Sequence, residues 1–248
     1  FQDRKSDRTM STTQHIVSDG TDLAEFINDR GPHCLIVARH GETDWNAERR
    51  LQGQQDTSLN SRGRCQALKV ARLLKNLPLL QVHSSILRRC QETARPIAEA
   101  NIGQPNVVSS DLLKEIALGV LEGELKDQQS TAALTRHYQN FSRDEVHYRL
   151  PDGETLHDAA VRVQRFFGQN EHLTGPGIQL IVGHRNVNKM IVKYLLELSF
   201  EEGFSIEQEH QRLYLYFRAS NELWSCWMGA ATACLTLGYT TTKNGSYA

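Results

Sequence analysis

Short runs of apolar residues alternate along this chain with longer segments whose apolar residues recur every three or four positions. The runs at 34–38 and 178–182 are flanked by Gly, Pro or charged residues, which is typical of strands buried on both faces. Further strands are predicted at 79–82, at 106–108, and at 213–217 and 223–227, a pair whose turn at 219–221 indicates a hairpin. Helical spacing predicts five helices: one from Thr21-Asp22 to Asn28, one opened by Ser61, one carrying Ile86, Cys90, Ala94 and Ile97, one capped by Thr155, and one containing Val187, Ile191, Tyr194 and Leu195.

Strands that alternate with helices predict an α/β fold. We expect a three-layer α/β/α sandwich with a mainly parallel central sheet and an antiparallel edge. One domain is predicted at 31–230, in which the polar segment 124–150 forms an excursion or lid. A polar extension at 1–30 with a short helix precedes it, and a tail at 231–248 follows it.

The polar N-terminal stretch is expected to be disordered over residues 1–21. Because Met10 is the first methionine, residues 1–9 are expected to lie upstream of the native start.

Composition narrows the class of protein. Lys and Arg number 28 against 29 Asp and Glu, a net charge of -1 without long blocks of one sign, so a nucleic-acid partner is not expected. The uncharged stretch 223–242 contains too many Ser, Thr and Gly residues for a membrane span, and no secretory signal pattern opens the chain. Five scattered cysteines indicate reduced thiols and a cytoplasmic protein, and their spacing predicts no metal site.

Histidine and arginine recur where predicted strands end. Arg39 and His40 follow the first buried run, His184 follows the run at 178–182, and Arg88-Arg89 comes soon after the strand at 79–82. The carboxyl ends of parallel strands share one edge of a sheet, so these groups could surround one tetrahedral dianion. For a single histidine the alternative is a hydrogen-bonded structural role, and that interpretation is kept for the other eight histidines: 15, 33, 83, 137, 147, 157, 172 and 210.

The segment that contains Arg39 and His40 resembles a known family. The run Arg39-His40-Gly41-Glu42-Thr43-Asp44-Trp45-Asn46 resembles the signature of the histidine phosphatase superfamily, whose branches include the phosphoglycerate mutases. The resemblance continues in the same order along the chain and covers about residues 34–217. Its other segments are 51–63, 84–94, 112–123, 151–155 and 182–184. It implies a phosphoglycerate mutase-like fold.

The resemblance also implies roles for the matched positions. His40 would be the nucleophile that forms a phosphohistidine, and Glu115 the general acid. Arg39, Arg89 and His184 would hold the phosphoryl oxygens, with Arg88 left as the alternative to Arg89. Asn46, Gln52 and Gly53 would bind the substrate. Neither a metal ion nor a cofactor is implied.

Other acidic and aromatic residues of the motifs receive structural roles. Glu42 is interpreted as an orienting residue or an ion-pair partner of an arginine. Glu122 is expected to hold the loop at 112–123 that carries Glu115, called the acid loop below. Glu154 is expected to support the start of a helix, and Trp45 to pack.

The sequence of the acid loop helps to distinguish a phosphatase from a mutase, which transfers the phosphoryl group between substrates. Mutases of the family usually carry Glu-Arg-His-Tyr-Gly, whereas this chain has Glu115-Ile116-Ala117-Leu118-Gly119. The arginine and tyrosine that would grip a phosphoglycerate carboxylate are missing, which favours a phosphatase of the superfamily. Its substrate would be a small phosphomonoester such as a phosphorylated sugar or sugar acid. Mutase activity, and a phosphoryl-binding protein without activity, remain the alternatives.

Arg185 follows the distal histidine, where the family commonly has a small residue. It would either point to solvent or pair with an acid such as Glu42, or else add a cationic contact that selects anionic substrates. The predicted partner is a small phosphorylated metabolite, and association into homo-oligomers is left open. The segment 124–150 adds candidates for the cavity mouth: His137, Tyr138, Arg143, His147 and Tyr148.

Overall fold

A computed structural model of the protein describes residues 14–31 and 33–241. Within these ranges there are eight strands, Gln14–Val17 (β1), His33–Arg39 (β2), Leu79–Ser85 (β3), Asn106–Ser110 (β4), Gly177–Gly183 (β5), Arg212–Phe217 (β6), Glu222–Met228 (β7) and Ala233–Leu237 (β8). The same ranges contain eight α-helices, Gly20–Asn28 (α1), Asp44–Ala47 (α2), Ser61–Leu74 (α3), Arg88–Ala100 (α4), Ala132–Arg143 (α5), Leu156–Gln169 (α6), Arg185–Leu196 (α7) and Phe200–Ser205 (α8).

The strands form one sheet in the order β1-β8-β7-β6-β2-β5-β3-β4. Strands β2, β5, β3 and β4 are mutually parallel, and β2 pairs with β5 from His33 opposite Gly177 to Arg39 opposite Gly183. From β2 outward, β6, β7, β8 and β1 follow in antiparallel pairs. The predicted mixed α/β sheet is therefore confirmed, and its antiparallel part extends beyond the predicted hairpin.

Helices cover both faces of this sheet. Alternate residues of β2 show the division, because Cys34, Ile36 and Ala38 belong to one buried cluster while Leu35 and Val37 belong to the other. The first cluster includes α1, α3 and α4, and the second includes α6 and α7. A strand buried on both faces needs apolar residues at every position, which explains the continuous run at 34–38.

Two predicted helix starts are wrong. Asp19 caps α1, since its side chain accepts hydrogen bonds from the backbone N–H groups of Thr21 and Asp22, which lie inside the helix. Helix α4 begins only at Arg88, because Leu87 is extended and Ile86 lies in an exposed turn after β3. Thr155 caps α6 as predicted, in a capping box with Asp158.

The two ends of the described chain correct the expected extension and tail. Residues 233–237 form β8 beside β7, and residues 14–17 form β1 beside β8, so the disorder expected at 14–21 is wrong. Val17, Ala233 and Leu235 are buried in the first cluster, and this burial stabilises β1 and β8. The predictions for residues 1–13 and for 242–248 fall outside the described residues.

The segment 124–150 contains α5, whose Phe141 is buried in the second cluster. Tyr138 and Tyr148 pack against the same cluster, so this excursion is anchored on the α6 and α7 face. Across residues 14–31 and 33–241, none of the helices combines the length and apolar character required to cross a membrane.

Candidate active site

The predicted catalytic groups meet at the carboxyl edge of the parallel strands. His40 follows β2 and His184 follows β5, and the backbone N–H of His40 donates to the carbonyl of Gly183 at 3.0 Å. The two imidazole rings lie edge to face with centroids 5.1 Å apart. Ser85, the last residue of β3, accepts a hydrogen bond from His184 Nε2 at 2.9 Å. The register of three neighbouring strands thus brings the site together.

His40 is held in one tautomer. Its Nδ1 lies 2.7 Å from the carbonyl oxygen of Gly41, an acceptor, so Nδ1 carries the proton and Nε2 carries the lone pair. Burial, together with the Arg89 guanidinium, holds the pKa of His40 well below its ordinary value of 6.5. Gly41 is required here, because a Cβ at this position would lie 2.4 Å from the carbonyl oxygen of Gly63.

Arg89 and His184 form a buried pair behind His40. Arg89 Nε donates to His184 Nδ1 at 3.2 Å, and its two terminal nitrogens donate to the carbonyls of Gly53 at 2.9 Å and Gln55 at 2.6 Å. His184 therefore carries its proton on Nε2, and burial followed by the charge of Arg89 lowers its pKa well below 6.5. Gly53 adopts a left-handed φ of 50°, which presents its carbonyl to Arg89.

Glu115 is fixed by the start of α7. Its Oε1 accepts from the N–H groups of Ile116 at 2.9 Å and Val187 at 3.3 Å, and its Oε2 accepts from Asn186 N–H at 3.1 Å. A carboxylate is a favourable partner for the unsatisfied N–H groups of a helix N-terminus. The acid loop is thereby tied to the helix that follows His184.

Supporting acids brace the same loop. Glu122 accepts from the N–H groups of Leu118 at 3.0 Å and Gln54 at 2.8 Å, which confirms its structural role. Glu154 does not support a helix start, contrary to expectation. It pairs with Arg162 at 2.8 Å and accepts from the N–H of Ala117 at 3.0 Å, so it also supports the acid loop.

A cavity of about 400 Å³ opens above His40. The predicted residues Arg39, Asn46, Gln52, Gly53, Arg89, Glu115 and Arg185 line it together with His40. His184 is fully buried and lies behind this wall rather than on it. Arg88 is exposed and lies near Asp56 and Ser58, outside the cavity lining. Glu42 pairs with Arg62 at 3.3 Å, in agreement with its interpretation as an ion-pair partner.

The cavity also has lining residues that the sequence did not single out. Arg49, Arg62 and Lys126 add cations, and together with Arg39, Arg89 and Arg185 they outnumber the lining carboxylates. Burial, followed by the charge of Arg185, lowers the pKa of Lys126 to about 8. Arg62 lies within the family-like segment 51–63, and Arg49 lies between that segment and the one at 39–46. Their place in the motifs is therefore the sequence signal that could have identified them.

On another side of His40, residues 209–211 and Trp227 line the cavity. His210 Nδ1 donates to the carbonyl oxygen of His40 at 2.7 Å, and the two rings lie 5.5 Å apart. No sequence pattern marked His210, because it precedes an antiparallel strand whose position depends on the tertiary fold. Among the described residues, no group of three or more His, Cys, Asp or Glu side chains is arranged to hold a metal ion.

Known proteins resemble the chain in sequence and in fold. Residues 35–225 match the family model of the histidine phosphatase superfamily (branch 1). A protein of Enterobacter sp. (strain 638) named probable phosphoglycerate mutase GpmB is 36% identical over 168 residues, which cover 66% of this chain and 75% of that protein. Its Escherichia coli (strain K12 / DH10B) namesake is 34% identical with the same coverage.

Solved structures share the fold at lower identity. A mycobacterial glucosyl-3-phosphoglycerate phosphatase in complex with VO3 superposes with a TM-score of 0.65 at 24% identity, covering 85% of this chain and 100% of that one. The alpha-ribazole phosphatase from Shigella flexneri gives a TM-score of 0.64 at 24% identity, over 84% of this chain and 96% of that one.

Proposed function

The chain belongs to the histidine phosphatase superfamily, and from that premise we propose that it hydrolyses a small phosphomonoester through a phosphohistidine on His40. The observation that carries the proposal is the tautomer of His40. Because Gly41 holds the proton on Nδ1, the lone pair of Nε2 belongs to a neutral, buried imidazole at the cavity wall. A neutral imidazole is the form that can attack phosphorus.

In the first step, Nε2 of His40 forms a bond to phosphorus while the bond between phosphorus and the leaving oxygen breaks. Charge on the phosphoryl oxygens would be stabilised by Arg39 and Arg89, whose guanidiniums are already placed on the wall. His184 lies behind the wall and donates through Nε2 to Ser85, so its contact with a phosphoryl oxygen would require this donor to turn toward the cavity. These fixed cations would replace a metal ion in the reaction.

Glu115 would enter the first step as a carboxylic acid, give its proton to the leaving alkoxide and become the carboxylate. In the second step a water molecule attacks phosphorus, the bond from phosphorus to Nε2 breaks, and Glu115 takes the proton from the water. Three backbone N–H groups fix the orientation of this carboxylate, which supports one residue acting in both steps.

Mutase activity is the second candidate, because the curated relatives carry that name. Two side chains of the acid loop favour hydrolysis instead. Leu118 lines the cavity where mutases of the family carry a tyrosine, and Ile116, at the position of their arginine, is buried in the second apolar cluster. Neither side chain can hold a released carboxylate for return of the phosphoryl group.

Arg185 supports a preference for anionic substrates such as phosphorylated sugar acids. It is the first residue of α7 and lies on the cavity wall. A charge-assisted contact to a second acidic group of the substrate would add affinity and specificity.

Rapid mixing with a phosphomonoester labelled on phosphorus tests the mechanism. We expect an acid-labile phosphoenzyme in the wild type, its loss in His40→Ala, and inorganic phosphate as the product. An isomeric ester in place of phosphate would establish the mutase. Turnover by a correctly folded His40→Ala, or the absence of any phosphoenzyme and turnover on a broad panel, would refute catalysis through His40 and favour a phosphoryl-binding protein.

A further inference from the structure

The antiparallel half of the sheet contributes one flank of the cavity. Strand β7 runs parallel to β2, because β6 is antiparallel to both, so β7 ends at the edge where His40 lies. Strand β6 begins at the same edge. Trp227, near the end of β7, and residues 209–211, just before β6, therefore lie beside the candidate active site. Trp227 falls beyond residue 225, where the family match ends.

Trp227 presents a fixed indole at this flank. It is 37% exposed, and the guanidinium of Arg212 lies 5.2 Å from the ring centroid. Arg212 is itself held by Glu207 at 3.2 Å and Glu209 at 3.0 Å. A side chain supported in this way loses little freedom when a ligand packs on it, so it can act as a platform.

The residues next to the indole supply hydrogen-bond acceptors. His210 donates through Nδ1 to the His40 carbonyl, which leaves Nε2 as an acceptor as long as the ring is neutral. Burial and the charge of Arg39 lower the pKa of His210 to about 3, so the neutral form prevails. Glu209 adds a carboxylate and Gln211 an amide to the same wall.

The opposite flank of the cavity contains Arg185. Arg185 follows β5, on the other side of β2 from β6 and β7, and its charge acts on Lys126 more strongly than any other charge does. Arg49 lines the same cavity in a left-handed conformation with a φ of 59°, which is uncommon for a residue other than glycine. An anionic group of the substrate is favoured beside Arg185, whereas the carboxylate of Glu209 disfavours one next to it.

We propose that Trp227, Glu209, His210 and Gln211 form a subsite for the polyhydroxylated part of the substrate, which makes the leaving group a sugar ring. Hydroxyl groups donate to the three acceptors, and the C–H face of the ring packs on the indole. An anionic group has no donor to offer the Glu209 carboxylate or Nε2 of His210, and a purely apolar group leaves both acceptors unsatisfied. The inference rests on the proposed phosphatase function and specifies the chemical class of its leaving group.

The test compares kcat/KM of the wild type for three groups of phosphomonoesters: hexose phosphates, n-butyl phosphate, and 1-naphthyl phosphate. We expect the wild type to prefer at least one hexose phosphate. Trp227→Ala should lower kcat/KM for it by about tenfold, and leave that for butyl phosphate within about twofold, because only the ring contact is removed. Trp227→Phe should restore part of the loss, and Gln211→Ala should reduce hexose phosphate turnover selectively.

Three outcomes would overturn the subsite. The first is a wild type that turns over butyl phosphate as well as every hexose phosphate. The second is an equal loss on hexose and butyl phosphates in Trp227→Ala, with an unchanged thermal melt, which would mean a general disturbance of the site. The third is a larger loss on naphthyl phosphate than on the hexose phosphate, which would indicate a platform for aromatic rings. If no ester forms a phosphoenzyme, the proposed function itself fails, which the labelling experiment detects separately.

Discussion

Buried neutral histidines make the stability of this protein sensitive to mild acid. Burial lowers the pKa of His83 to about 4 and that of His210 to about 3, both from an ordinary value of 6.5. Above pH 6.5 neither the folded nor the unfolded state binds protons at these sites. As the pH falls below 6.5, only the unfolded state is protonated, so the free energy of unfolding decreases until the folded-state pKa is reached.

The loss of unfolding free energy at pH 5 depends on the unfolded-state pKa of the histidines, because both folded-state pKa values lie a unit or more below pH 5. At pH 5 the pH lies about 1.5 units below the unfolded-state pKa of 6.5. Protonation therefore stabilises the unfolded chain by about 2 kcal/mol for each histidine and about 4 kcal/mol for the pair. His40 and His184 have pKa values lowered in the same direction and add to this loss.

Urea unfolding between pH 7.5 and 5 measures the effect. Near pH 5 the slope of the unfolding free energy should include about one proton for each of these histidines. His83→Gln and His210→Asn should each flatten the slope by about one proton, and the double variant by about two. Slopes equal to that of the wild type in both single variants would refute the assignment of buried neutral rings.

Three other predictions concern the catalytic edge. Gly41→Ala would place a Cβ 2.4 Å from the Gly63 carbonyl, so we expect a loss of about 2 kcal/mol or more in urea unfolding; wild-type stability would contradict the close approach. Glu115→Gln should lower kcat about 100-fold or more on alkyl phosphates but much less on p-nitrophenyl phosphate, whose leaving group needs no proton, and equal losses on both esters would argue against a general acid. Arg185→Ala should reduce kcat/KM for 3-phosphoglycerate about tenfold more than for a neutral phosphomonoester, since only the former has a second anionic group; an equal reduction would remove the selectivity.

Local patterns predicted the parallel half of the sheet well. The strands at 34–38 and 178–182 are buried on both faces, so every residue in them except Gln179 is apolar and the signal is dense. The start of the helix capped by Thr155 is also predicted correctly, because capping depends on residues only three positions apart. The sequence pattern does not predict β1, at the sheet edge, or its neighbour β8, since each buries only part of one face and leaves residues such as Ile16 exposed.

The candidate site likewise contains residues that the sequence identifies and others whose roles depend on tertiary packing. Motif residues such as His40 and Glu115 were identified by resemblance, and the cavity contains both. Glu154 was misjudged because its partner Arg162 lies on α6 and meets the acid loop only through packing. His184 is predicted to hold phosphoryl oxygens, and in the structure it is fully buried behind the cavity wall, where it is hydrogen-bonded to Arg89 and Ser85.

The sequence by itself determined the family, the α/β class and the residues that would carry phosphoryl transfer, because those signals are local and recur in fixed order. Only the tertiary structure decided what surrounds them. The register of β2 with β5 sets His40 against His184, and the antiparallel return of β6 and β7 brings residues 209–211 and Trp227 to the cavity. The bond from His210 to His40 joins residues 170 positions apart, and no local periodicity encodes such a contact.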